Sequence, residues 1–249
     1  MEENKANVRA VERALDILLC FNEKSEWAMT EIADKVQLHK STVHRMLATL
    51  EDRGFVARDA LTDRYRLGIR IWELSTHLST SDDPAVMLLP EMERLRDLLG
   101  ETISLYIRDG SERIRIQAVQ SNQAVRRVAP VGARLPLYVG ASSKVLIAFG
   151  GEHALGQLLD SADWPEVIDK VVYAEQIRQI RQMGYATSIE EREPGAAAVA
   201  APIFNRAGRL AAALSVSGPS GRLTLEKMRE QVPILIDSAK RMGTMLLEE

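Results

Sequence analysis

TEIADKVQLHKSTVHRMLATLEDR, residues 30–53, decides how the first third of this 249-residue chain folds. Ile32, Ala33 and Val36 supply one apolar face. Val43, Met46, Leu47 and Leu50 supply a second at i, i+3, i+4 and i+7, the spacing of a buried helix stripe. Residues 37–40 lie between them, so the stretch reads as two short helices joined by a tight turn. The second helix turns Ser41, Arg45, Ala48 and Thr49 away from its stripe, with Thr42 and His44 on the flanks and Lys40 at its start. Free backbone N–H groups and the positive dipole end favour phosphate there, and Arg, Ser and Thr reach base edges in a groove. The plain alternative is a helical hairpin in a bundle, whose exposed arginines only solvate a surface.

The residues after the second helix favour DNA. Gly54 leads to Phe55, Val56, Ala57 and Arg58, then the turn-like DALTD, then Arg64, Tyr65, Arg66 and Leu67. Two short strands closed by a charged loop make a wing, with Arg58, Arg64 and Arg66 available to phosphates. Residues 35–70 carry eight Lys/Arg against four Asp/Glu, a net of +4, whereas residues 1–34 carry four against eight, a net of −4. The positive charge is local, as a reading head requires.

These motifs resemble the IclR family of bacterial transcription regulators: VERALDILLCF at 11–21, LHKSTVHRMLATLEDRGFV at 38–56 and YRLG at 65–68. The resemblance continues through VGARLPLYVGASSKVLIA at 131–148, GYATSIEEREPGAAAVAAPIF at 184–204 and SVSGP at 215–219. It implies a winged helix-turn-helix followed by a GAF-like ligand-binding domain. The family usually has Gly where Gln37 stands and Pro where His39 stands. A non-Gly residue in a left-handed turn costs on the order of 1 kcal/mol, which a fold tolerates.

Length and composition set the frame. A chain of 249 residues suits two domains, and 46% hydrophobic residues can bury two cores. The turn formers and proline of STSDDP at 79–84 mark the boundary, giving domains 1–80 and 81–249. The single cysteine, Cys20, excludes an internal disulfide framework and reads as a buried small hydrophobe. No signal-peptide core and no run of 18 apolar residues occurs, so a cytoplasmic protein with no membrane partner is expected. The four histidines (His39, His44, His77, His153) lack ligand spacing, so no metal and no cofactor are expected.

In chain order, the pattern Val8, Val11, Ala14, Leu15, Leu18, Leu19 predicts a first amphipathic helix over 8–21 that packs under the helix-turn-helix, and Thr30 is a candidate N-cap. A linker helix follows the wing over 69–79. A helix is predicted over 84–99 with Gly100 as its C-cap, then a hairpin of strands 102–107 and 113–119 around Arg108, Asp109 and Gly110. RIRIQAV alternates charge with aliphatic side chains, as a sheet with one buried face does. A third strand is predicted over 125–128, helices over 143–149, 153–159 and 173–183, strands over 185–190, 198–204 and 210–216, and a last helix over 224–247. An antiparallel sheet flanked by helices makes this half, and the fold, α+β.

Gly140, Ala141, Ser142 and Ser143 lead into a helix, whose free N–H groups can hold a carboxylate or phosphate. Ser215 and Ser217 alternate on one strand face and can donate to the same anion. The resemblance places the effector pocket on Leu135, Ala141, Ser142, Ser188, Ala198, Ser215 and Ser217. The position of Ser188 is an acid in some relatives, so serine there favours an anionic ligand, and Ala196, Ala197 and Ala198 leave room for an aromatic ring. The plain reading of each serine is an ordinary hydrogen-bonded strand or cap hydroxyl. Arg126 and Arg127 read as a solvated strand edge, and Glu190, Glu191 and Glu193 as an exposed strand end.

Three functions fit these residues. A ligand-controlled DNA-binding regulator, with repression favoured, would sense a small aromatic or keto carboxylate and read a palindromic operator as a homodimer or dimer of dimers. A constitutive regulator would use its second domain only to oligomerise. An enzyme of small acids would need a nucleophile motif, dinucleotide fingerprint or phosphate loop, and none occurs; Ala141 stands where a Ser-x-x-Lys nucleophile would.

Overall fold

A computed structural model describes residues 8–76, 83–126, 130–151 and 153–246. The chain divides into two compact units, Met1–Thr80 and Ser81–Glu249.

The first unit runs α1 (Arg9–Cys20), β1 (Trp27–Ala28), α2 (Met29–Lys35), α3 (Lys40–Asp52), β2 (Val56–Arg58), β3 (Arg64–Leu67) and α4 (Ile69–Thr76). Its strands pair antiparallel in the order β1-β3-β2, and Ile17, Ile32, Val43, Leu47, Val56 and Tyr65 fill the core between them and the helices. The α2–α3 turn takes φ +53° at Gln37, the left-handed conformation its sequence position demands of a non-Gly residue. Gly68 has a different necessity: a Cβ there would stand 2.1 Å from the Gly54 carbonyl oxygen, so the chain leaving β3 passes the end of α3 only as glycine.

Two expectations fail in this unit. Val8, Val11, Leu15 and Leu19 are 53–64% exposed, and α1 instead buries Ile17 and Cys20, with Phe21 behind them. The helix is apolar on two faces, and periodicity alone does not rank them. Thr30 lies inside α2, whose N-cap is Ala28; the Glu31 carboxylate accepts the Ala28 N–H at 2.7 Å and supplies the cap from within the first turn.

The second unit contains α5 (Pro84–Met87), α6 (Leu89–Leu99), β4 (Thr102–Asp109), β5 (Glu112–Val119), β6 (Arg134–Pro136), α7 (Ala141–Phe149), α8 (Ala154–Leu159), α9 (Lys170–Met183), β7 (Ala186–Ile189), β8 (Ala196–Phe204), β9 (Leu210–Pro219) and α10 (Leu225–Met245). One six-stranded antiparallel sheet, in the order β6-β5-β4-β9-β8-β7, carries helices on both faces. Ile103, Leu105, Val199, Leu214 and Val216 face α6 and α10, and Tyr106, Ala186, Ala200 and Ala213 face α7 and α9.

The helix expected over 84–99 is broken at Leu88, because Pro90 opens α6 and has no N–H for the turn before it. The β4–β5 hairpin turns at Gly110 and Ser111, with Asp109 already paired to Glu112. The third strand is β6, at 134–136, not 125–128; residues 125 and 126 are not in a strand, and 127–129 lie outside the described residues. The alternation on β5 is also inverted. Arg113 and Arg115 are 4% and 2% exposed, and Ile114 and Ile116 are less completely covered, because both faces of this sheet carry helices.

Candidate functional site

On the first unit, Lys40, Ser41, His44, Arg45 and Thr49 of α3 are exposed, and Thr42 is half-buried. Thr42, Arg45 and Thr49 share a groove with Ala10 and Ala14 of α1. The His39 ring stands 2.8 Å from the Ser41 hydroxyl and caps the helix start, doing there what a proline would do by rigidity. Thr49 donates to the Arg45 carbonyl at 3.0 Å, so its hydroxyl is engaged within the helix. In the wing, Arg58 pairs with Asp63, and Arg64 reaches back 2.8 Å to Glu31 on α2. An exposed pair like Arg58–Asp63 is weak in water, so a phosphate can displace the carboxylate. Arg64 braces the wing on α2, while Arg66 projects exposed beside it.

On the second unit the sheet gathers residues far apart in the chain. Ser188, Ala198 and Ser217 stand directly opposite one another on β7, β8 and β9, and Ser215 stands between Ala200 and Ser104 one row further on. The start of α7 closes over them. Ala141, Ser142, Ser188, Ala198, Ser215 and Ser217 line one cavity of about 50 Å³, together with Tyr106, Arg113, Arg115 and Arg192. Leu135 does not line it; on β6 it pairs with Arg113 and packs beside the cluster around Leu137.

The serines are not ordinary strand hydroxyls. Ser142, Ser188, Ser215 and Ser217 are 3–8% exposed, and none of their hydroxyls has a hydrogen-bond partner among the described residues. Neighbouring buried serines do: Ser104 accepts from Arg115 at 2.5 Å, and Ser143 donates to the Pro136 carbonyl at 2.9 Å. The four serines line one cavity, so a polar guest there would meet four hydroxyls that make no bond within the described residues.

The electrostatics point the same way. Three arginines line the cavity, and among the described residues no Asp or Glu does. Arg113 donates to the Val139 carbonyl at 2.6 Å, and its guanidinium carbon lies 5.3 Å from the Tyr106 ring centroid, with that of Arg115 at 5.6 Å. Gly140, at φ +94°, gives the Arg113 guanidinium its seat, since a Cβ would come within 3.1 Å of Nη2. Glu191, exposed just past the end of β7 as expected, also accepts the Gly140 N–H at 3.0 Å and pairs with the buried Lys144. Tyr173 donates to the Leu137 carbonyl at 3.1 Å, and its pKa is pushed up by burial and then by the Glu191 charge, so it stays a neutral donor.

Sequence reasoning missed Arg113, Arg115 and Tyr106. The alternation of RIRIQAV was visible, but which face is buried depends on layers added by α5–α6 on one side and α7 on the other. Arg126 is exposed outside any strand, and Arg127 lies outside the described residues. Among the described residues no His, Cys, Asp and Glu group gathers in a metal-holding arrangement, and no helix is long and apolar enough to cross a membrane.

Residues 10–60 match the family model of the IclR helix-turn-helix domain, and residues 80–244 match that of the bacterial transcriptional regulator IclR C-terminal domain. The HTH-type transcriptional regulator XynR of Escherichia coli is 33% identical over 90% of this chain and 93% of its own. An IclR homolog from Microbacterium hydrocarbonoxydans, solved with 4-hydroxybenzoate, superposes with a TM-score of 0.82 at 26% identity, over 95% of this chain and 98% of that one. An IclR regulator from Alicyclobacillus acidocaldarius gives 0.78 at 28% identity, over 96% and 99%. A helix-turn-helix joined to such an effector-binding domain is a DNA-binding transcriptional regulator and not an enzyme. The chain belongs to the IclR family.

Proposed function

We propose that this regulator is switched by a small carboxylate held between the start of α7 and the Ser215/Ser217 edge of β9. The observation that carries the reading is the cavity itself: four serines and three arginines, with no acid in its lining among the described residues. Its size favours a short keto or hydroxy acid over the aromatic option. Benzene fills a cavity of about 150 Å³, and this one measures about 50 Å³. A ligand as large as the 4-hydroxybenzoate of the Microbacterium homolog would need this cavity to widen.

The reading head works through α3 in a major groove, with Lys40, Ser41, Thr42, His44, Arg45 and Thr49 near the bases and Arg58, Arg64 and Arg66 near the backbone. A single winged helix reads few base pairs, so two copies bind a palindrome with half-sites about one turn apart, as a homodimer or dimer of dimers. Trp72, Leu74 and Leu78 of the linker helix are the contacts between copies; Trp72 and Leu74 are 64% and 53% exposed on α4, and Leu78 lies outside the described residues.

Thermal melts of the full chain against glyoxylate, pyruvate and lactate, alongside operator titrations with and without each acid, test the switch. A stabilisation that grows with ligand concentration and a matching change in operator affinity are expected. Unchanged melts and operator binding across all carboxylates would leave the constitutive regulator, whose second unit only oligomerises.

A further inference from the structure

Two permanent cations side by side in one cavity discriminate among acids by charge and not only by size. Resting on the carboxylate reading above, we propose that the effector is a compact dianion, a short dicarboxylate whose two anionic groups are met by Arg113 and Arg115 of β5.

Arg113 and Arg115 are two residues apart on one strand face, about 6.6 Å along the chain, a span that one short ligand can bridge. Both are almost wholly buried, and a guanidinium does not lose its proton in a protein. The carbonyls of Val139 and Pro136 orient Arg113, and the hydroxyl of Ser104 orients Arg115. Tyr106 keeps both guanidiniums over one ring, so their separation is set before the ligand arrives. Glu191 of the β7–β8 loop is bound to Lys144 and the Gly140 N–H at the start of α7 and holds that side of the cavity in place.

A monocarboxylate brings one fork-shaped acceptor, and a dicarboxylate brings two. Charge-assisted bonds between guanidinium and carboxylate are roughly twice as strong as neutral ones, and stronger still away from water, so the second pair adds more than a neutral tail can. The lone pairs left over meet Ser142, Ser188, Ser215 and Ser217, which have donors to give. The small cavity limits the carbon skeleton to the short end of the series.

Calorimetric titration of the full chain with oxalate, malonate and succinate, against glyoxylate, pyruvate and pyruvamide, decides it. At least one dianion should bind about tenfold more tightly than the monoanions, a difference of about 1.4 kcal/mol, and pyruvamide should not bind. Arg113→Gln and Arg115→Gln should each lower dianion affinity about tenfold with little change for pyruvate, for which one fork remains, and Arg115→Lys should keep part of the preference. The wild-type panel stands even where a variant fails to fold. Monoanions binding as tightly as every dianion, or a preference that survives both glutamine variants, would overturn the dianion and leave the carboxylate reading intact. Silence from every carboxylate would overturn both.

Discussion

The backbone N–H of Gly140 donates to the Glu191 carboxylate at 3.0 Å, so the first free amide of α7 is already held by an anion of the protein itself. Glu191 also neutralises Lys144 and anchors the β7–β8 loop that carries Arg192 into the cavity. The proposed effector therefore binds beside a fixed negative charge. Glu191→Gln should raise the affinity for a carboxylate by about three- to tenfold at low salt, with the gain shrinking as ionic strength rises. Titration of the variant at two salt concentrations measures this; a fall in affinity would mean that seating the loop outweighs the repulsion.

Ser215 and Ser217 line the cavity with no hydrogen-bond partner among the described residues, so their replacement removes no bond there. The double variant Ser215→Ala/Ser217→Ala should melt within about 1 kcal/mol of wild type without ligand, because the two hydroxyls lost make no hydrogen bond within the described residues. Operator binding without ligand should stay near wild type, and the ligand response should be lost. Melts and operator titrations with and without a carboxylate check both halves.

Arg45 and Arg66 should separate on DNA. Arg45→Ala should cost about 1–3 kcal/mol at one position per half-site and relax discrimination there. Arg66→Ala should weaken all sequences alike and flatten the salt dependence by about one unit. Arg64→Ala should behave like Arg66→Ala on DNA but also lower the melting temperature of the first unit, since Arg64 ties the wing to Glu31. A mismatch panel with melts alongside distinguishes the three.

Glu91 of α6 accepts from Arg94 and from Arg241 of α10, which hold its carboxyl down to about 2, below the ordinary carboxylate range. Its folded pKa is below its unfolded one, so the stability it contributes is present above about pH 4.5 and is lost as pH falls towards 2. Allowing for screening of the half-exposed arginines, the contribution is on the order of 2 kcal/mol. Glu91→Gln should therefore destabilise the chain by that amount at pH 7 and by little near pH 2, as chemical denaturation at both pH values would show.

Periodicity and end signals made most elements legible. The α2–α3 turn, the wing, Gly100 and Gly184 as helix ends and the three strands after Gly184 depend on neighbours a few residues away, and local chemistry decides them. Failures came where two local answers were equally good. On α1 two apolar faces competed, and contact with α3 chose Ile17 and Cys20. The strand that completes the sheet beyond β5 comes from residues 134–136 because pairing there extends the ladder, which hydrophobicity over 125–128 does not reveal.

The sequence by itself determined a two-part chain with a winged reading head, a local +4 charge around it and a set of serines whose position resemblance made meaningful. Only the tertiary structure decided what those serines face and which way Arg113 and Arg115 point. A strand's alternation defines two faces but not which is buried, and here α7 and the β7–β8 loop cover the charged one. Burial of charge is a property of the layers packed on a strand, and those layers come from residues 20 to 80 positions further along the chain.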